Sequence, residues 1–155
     1  MALKADRYEL QTDISFFYNA GVATRGGVVV HDTAGSGAAM DQGVNLVKYA
    51  AATSATVPVG ILLNDVVNKD LTRTHLNQYK DEVQKGGKVT VLRKGYVVTN
   101  NITGTPLAGS GAYACHVNAG NFRMDSPGSS GVLLVGRFLT SKDADGYAKV
   151  EVNLP

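Results

Sequence analysis

The sequence predicts a mainly β protein: a small single-domain β-barrel or β-sandwich with an extended N-terminal arm and at most one short helix. Three observations carry that prediction. Eighteen glycines are scattered along the chain and punctuate short runs rich in Val, Leu, Tyr and Thr, the residues that suit a pleated surface. Several of those runs alternate apolar and polar residues with the two-residue period of a half-buried strand. The 155 residues suffice for one core, because single domains run to about 100 to 200 residues. A composition 44% hydrophobic and 18% charged argues against wholesale disorder.

In chain order, Tyr8, Leu10, Ile14, Phe16 and Tyr18 fall on even positions while Glu9, Gln11, Asp13 and Ser15 fall on odd ones, which predicts a strand. Residues 1–13 are expected to form an arm and residues 14–155 a single β-rich domain. Residues 28–30, 44–49, 59–63 and 89–99 supply further strands, the last and longest with Gly95 as a bulge position. Residues 33–40, Thr-Ala-Gly-Ser-Gly-Ala-Ala-Met, read as an exposed loop. Over residues 71–83, Leu71, His75, Tyr79 and Val83 recur every four residues as on a helix face, yet threonine and asparagine dilute the helix propensity, so a short helix is weighed evenly against none. A hairpin is expected where Tyr113, Cys115 and Val117 precede the turn Asn118-Ala-Gly-Asn121 and Phe122 and Met124 resume the alternation. A second hairpin joins Val132-Leu-Leu-Val135 and Phe138 to the final strand through Asp143-Ala-Asp-Gly146. In that final strand Ala148, Val150, Val152 and Leu154 form an apolar row opposite Tyr147, Lys149, Glu151 and Asn153.

Fifteen Lys and Arg against thirteen Asp and Glu leave +2, too small a surplus for the positive field that phosphate backbones require. One cysteine, Cys115, excludes an intramolecular disulfide and a multi-cysteine zinc site. No apolar run approaches the roughly 20 residues of a membrane-spanning helix, and residues 1–10 do not read as a secretory signal. His31-Asp32 and Cys115-His116 are poor nucleophile–base pairs, because neighbours on a strand point to opposite faces. Gly35-Ser-Gly37 lacks the full nucleophile-elbow pattern. Asp143-Ala-Asp-Gly146 has the core of a calcium loop, but Val152 stands where the bidentate Glu belongs. Gln84-Lys-Gly-Gly-Lys88 has neither the spacing nor the hydroxyl residue of a phosphate loop. Asn101-Ile-Thr103 matches a glycosylation sequon without a secretory signal to make it meaningful. Lys85, Lys88, Arg93 and Lys94 beside Tyr96 are the nearest approach to a single-stranded nucleic-acid surface, and four exposed charges are usually only solvated. What remains is a glycine-rich β domain, and such a chain more often binds than catalyses. Its N-terminal arm is positioned to add to the edge of a neighbouring sheet.

The runs Pro58-Val-Gly-Ile-Leu-Leu-Asn-Asp-Val66, Lys80-Asp-Glu-Val-Gln-Lys-Gly-Gly-Lys-Val-Thr90 and Leu92-Arg-Lys-Gly-Tyr-Val-Val-Thr99 carry a family likeness. So do Gly136-Arg-Phe-Leu139, the ending Asp145-Gly-Tyr-Ala-Lys-Val-Glu-Val-Asn-Leu-Pro155, the opening Met1-Ala-Leu-Lys-Ala-Asp-Arg7 and Asp13-Ile-Ser-Phe-Phe17. In this order they resemble the capsid decoration, or cement, proteins of tailed bacteriophages. Residues 113–130 match no pattern of that family. The resemblance implies a protein without catalytic, cofactor or metal sites that binds the outside of the expanded head and stabilises it against DNA pressure. Its implied partners are the major capsid protein and itself, a homotrimer ahead of a homodimer, with no nucleic acid and no membrane. Its implied place is the outer surface of the virion capsid, after synthesis in the host bacterial cytoplasm. Ala2, Leu3, Lys4, Ala5, Asp6, Arg7, Tyr8 and Leu10 are the expected capsid-binding residues, on an arm (residues 2–13) poorly ordered in the free chain that pairs with a capsid strand. A hydrophobic oligomer interface is expected, with Tyr and Phe at its core; Tyr8, Phe16, Phe17, Tyr79 and Tyr96 are the candidates, and one sequence does not choose among them. Two alternatives stand beside this reading, a phage tail or baseplate component and a nucleic-acid-binding barrel; a hydrolase stands behind both.

Overall fold

The computed structural model describes residues 3–21, 23–32, 45–50, 57–65, 82–83, 85–115, 118–124 and 134–155. The expected loop at 33–40 and most of the ambiguous stretch 71–83 lie outside these residues, as do His75, Tyr79 and His116. Among the described residues there are twelve strands and no helix. They are β1 (Leu3–Tyr18), β2 (Ala23–Thr24), β3 (Val28–His31), β4 (Leu46–Tyr49), β5 (Pro58–Asp65), β6 (Glu82–Val83), β7 (Lys88–Thr99), β8 (Ile102–Thr103), β9 (Gly111–Ala114), β10 (Phe122–Arg123), β11 (Leu134–Phe138) and β12 (Ala148–Asn153).

The pairing order runs β1-β4-β3-β5-β7, and β7 pairs again with β1, so five strands close into a ring. Only the β1–β4 contact in that ring is parallel. β7 is the spine. One of its edges carries β1 along nearly its whole length; the other is divided between β5, opposite residues 89–92, and β12, opposite residues 94–99. From β12 the sheet continues through β11, β9, β10 and β8.

Two cores follow from this arrangement. Tyr18, Val29, Val47, Leu62, Val89 and Val91 come from all five ring strands and fill the inside of the ring. Val28, Val30, Ile61, Leu63, Leu92 and Val97 point the other way and pack with Phe122, Val135, Phe138, Val150 and Val152. Strands β3 and β5 therefore need apolar side chains on both faces, which is why Val28-Val-Val30 and Ile61-Leu-Leu63 read as unbroken apolar runs. On β7, Leu92 and Val97 lie five residues apart yet face the same core, so the alternation slips by one residue between them.

The final strand behaves as its pattern requires: Ala148, Val150, Val152 and Leu154 are buried, and β11–β12 is an antiparallel hairpin. Its turn is tied by Asp143, whose Oδ1 accepts hydrogen bonds from the backbone N–H of Asp145 (3.0 Å) and Tyr147 (2.8 Å). β9 and β10 form the other expected hairpin, with one correction of phase. The inward row is Ala112, Ala114 and Phe122, while Tyr113 is only partly buried. The small alanines suit a core crowded by Phe122 and Phe138, whose ring centroids are 6.4 Å apart. The strand ends at Ala114, so buried Cys115 lies between it and the turn, its N–H donating to the Asn121 carbonyl. At the end of the ambiguous stretch, Glu82 and Val83 are strand, paired with β2.

Candidate functional site

Among the described residues, this topology leaves a long strand edge open. β7 holds one side of β1 from Leu3 to Phe17, whereas β4 takes the other side only at Phe17 and Tyr18. Residues 4–16 thus have no partner strand on their outward edge among the described residues. At about 3.3 Å per residue this edge extends roughly 40 Å. Tyr8, Leu10 and Ile14 are 53%, 64% and 52% exposed along it. A long open edge bearing apolar side chains is a template for adding a further strand.

Local contacts hold β1 in place from behind. The Tyr8 and Tyr96 rings stack at 6.0 Å, and Lys149 Nζ lies 4.0 Å over the Tyr96 ring while pairing with Asp6 at 3.4 Å. Lys4 Nζ pairs with Asp143 at 3.4 Å and sits 4.4 Å over the Tyr147 ring. Arg7 and Glu9 pair at 2.9 Å. Gly95, expected as a bulge in its own strand, instead stands opposite one: the additional residue lies on β1, where Glu9 faces Gly95 and Gln11 faces Lys94, with Leu10 between them.

The expected capsid-binding residues therefore divide. Ala5, Asp6, Arg7, Tyr8 and Leu10 are exposed on β1 and Lys4 is half-buried, whereas Leu3 is 2% exposed and belongs to the core; Ala2 lies outside the described residues. The expectation of an arm without order in the free chain is corrected: Leu3 and most of residues 7–13 pair antiparallel with β7, across register shifts, while residues 4–6 lie in a break of that ladder. Sequence reasoning missed Lys149, Tyr96, Asp143 and Tyr147 as supports of β1, and periodicity within any one strand carries no signal for such contacts.

The other candidates do not assemble. Lys88 and Lys94 lie six positions apart on β7, about 20 Å of extended strand. Arg93 donates to the Pro155 carbonyl, and Tyr96 is occupied by Tyr8 and Lys149. His31 is exposed against Phe16, and buried Asp32 accepts from Asn19 Nδ2 at 3.0 Å and pairs with Lys48 at 3.3 Å. A cleft of about 490 Å³ beside Tyr18 and Tyr49 is lined by Lys48, Asn101 and Asn121 but by no carboxylate or histidine among the described residues. Burial raises the Tyr49 hydroxyl far above the usual phenol range, so it stays protonated. No group of three or more metal-ligating side chains occurs among the described residues.

A family model described as structural cement protein (E217 gp24/Pam3 gp6) matches residues 9–153. The chain belongs to this family of phage structural cement proteins. No curated protein matches it. The matched span runs from Glu9 in β1 to the last residue of β12, so it takes in the closed ring, both cores and most of the open edge. The cement protein has a structural role in the phage capsid. Residues 3–8, with their ion pairs to the C-terminal hairpin, precede the matched span.

Proposed function

We propose that the cement protein binds the outer surface of the expanded phage head as a symmetric oligomer and stabilises the shell against the pressure of packaged DNA. Its major-capsid contact is the open edge of β1, where Tyr8, Leu10 and Ile14 flank exposed backbone groups. That edge, paired along its other side with β7, is the observation that supports the reading. Strand addition supplies main-chain hydrogen bonds, and the exposed side chains supply selectivity. Many copies at symmetric positions share contacts, so each edge needs only modest affinity. β1 has no need to leave β7 in order to act, because its outward edge carries no partner strand over residues 4–16 among the described residues.

The test is co-sedimentation with expanded capsids that lack the protein, scored by occupancy per capsid and by the shell melting temperature. The wild-type chain is expected to bind saturably and raise the melting temperature. Leu10→Lys combined with Ile14→Lys removes two apolar contacts of about 1.5–3 kcal/mol each if both become buried. The variant is expected to lose at least about tenfold in capsid affinity while its own unfolding midpoint stays put. Unchanged binding by the variant would discard the β1 edge as the contact. A wild-type chain that binds tails and not shells would discard the decoration reading itself.

A further inference from the structure

Of the four register shifts between β1 and β7, the largest lies at the start of β1. Leu3 pairs with Thr99 and Arg7 with Val97, so four steps along β1 cover two along β7 and residues 4–6 bow out of the ladder. Side chains hold this segment instead. Leu3 is buried against Gly26, where a β-carbon would come within 3.0 Å of Leu3 Cγ, and Thr99 Oγ1 beside it donates to the Gly26 carbonyl at 2.9 Å. Lys4 reaches Asp143 and the Tyr147 ring, and Asp6 reaches Lys149. Residues 3–6 are thus a plug with one apolar anchor and two ion pairs of opposite sense. The socket is built wholly by other parts of the chain.

We propose that this plug is exchangeable: residues 3–6 of one copy dock into the Gly26–Thr99–Asp143–Lys149 socket of a second copy and link the two. The socket groups on β7 and β12 are held by the β7–β12 ladder, which does not include β1. The register break separates the plug from residues 7–17, whose pairing with β7 persists when the plug moves. A socket that fits this segment within a chain makes the same contacts with the same segment of another copy, the general route to exchanged dimers. In dilute solution the plug's own socket wins, since a short tether gives an effective concentration on the order of millimolar. Neighbouring copies on a shell compete with it, a step that rests on the proposed shell binding; the exchange itself does not.

A capsid-free charge-swap experiment tests it. Asp6→Lys sets a lysine against Lys149 within its own chain, and Lys149→Asp sets an aspartate against Asp6. Mixed together, each plug finds an opposite charge only in the other chain's socket. Tagged and untagged chains are mixed as the complementary pair and as the two matched pairs, and co-capture on the tag is measured. With two exposed pairs changed from repulsive to attractive, the complementary mixture is expected to co-capture about three- to tenfold more than either matched mixture. Leu3→Ala in both chains is expected to abolish the gain. The chain carrying both Asp6→Lys and Lys149→Asp serves as the folding control. Co-capture equal in all three mixtures would overturn the proposal. Should Lys149→Asp fail to fold, wild-type tagged and untagged chains at millimolar concentration give the deciding measurement: co-capture lost with Leu3→Ala supports exchange, and co-capture indifferent to Leu3→Ala overturns it.

Discussion

Gly95→Ala tests how β1 is seated on β7. The residue has φ of +140°, and a β-carbon there would lie 2.0 Å from the Tyr8 carbonyl oxygen and 3.3 Å from the Leu10 nitrogen. The neighbour is backbone, so no side-chain rotation relieves the overlap. A conformation rarely adopted by L-residues costs about 1–3 kcal/mol. Forcing the strands apart adds about 1–3 kcal/mol of overpacking. The expected loss is therefore about 2–6 kcal/mol, a large share of the roughly 5–15 kcal/mol of a typical domain. Gly104→Ala separates the two contributions, because Gly104 has φ of +84° but nothing within 4 Å of an added β-carbon; its cost should stop at about 1–2 kcal/mol. Urea unfolding of both variants, fitted for free energy and slope, measures the difference. Equal losses at the two glycines would refute the close β1–β7 approach. If Gly95→Ala is the costlier, its capsid occupancy should also fall, because the displaced strand carries the open edge.

Three further outcomes follow from the core and the turn. Phe138→Ala should cost about 3–5 kcal/mol by denaturant unfolding, because its ring is fully buried and meets Phe122 edge-on; a loss under about 1 kcal/mol would contradict that packing. Asp32→Ala should cost about 1–3 kcal/mol, since it leaves the Asn19 amide and the Lys48 ammonium without a buried acceptor; a neutral result would contradict the pairing. Asp143 titrates below its ordinary 3.8, chiefly because the Tyr147 N–H bonds its carboxylate, with Lys4 adding to the effect. A depressed carboxylate stabilises the fold above its unfolded pKa and loses that contribution as pH falls through the folded value. The melting-temperature gap between wild type and Asp143→Ala should therefore hold at neutral pH and close below 3.8; a gap widening with acid would reverse the sign.

Much of the fold was legible because strand burial writes itself into period. The alternation from Ala148 to Leu154 is the β12 register against β7, and the unbroken runs at 28–30 and 61–63 mark strands buried on both faces. The same rule misleads where burial is uneven. Tyr8, Leu10 and Ile14 alternate like a buried row, yet they stand exposed because, among the described residues, neither core extends over that part of β1. At β9 the inward residues are alanines, too small to register as an apolar row beside Tyr113 and Cys115.

By itself, then, the sequence determined a mainly β chain, its two late hairpins and its resemblance to cement proteins, because alternation, turn chemistry and segment order are local properties of the chain. Only the tertiary structure decided that β7 divides one edge between β5 and β12 while its other edge closes a ring with β1. It alone placed Lys149 and Asp143 behind the arm, left the outward edge of β1 without a partner strand among the described residues and turned Leu3 into a buried anchor. Those facts depend on pairing between residues as far apart as Lys4 and Asp143. No local period encodes such pairing; it is chosen by which faces must be buried together.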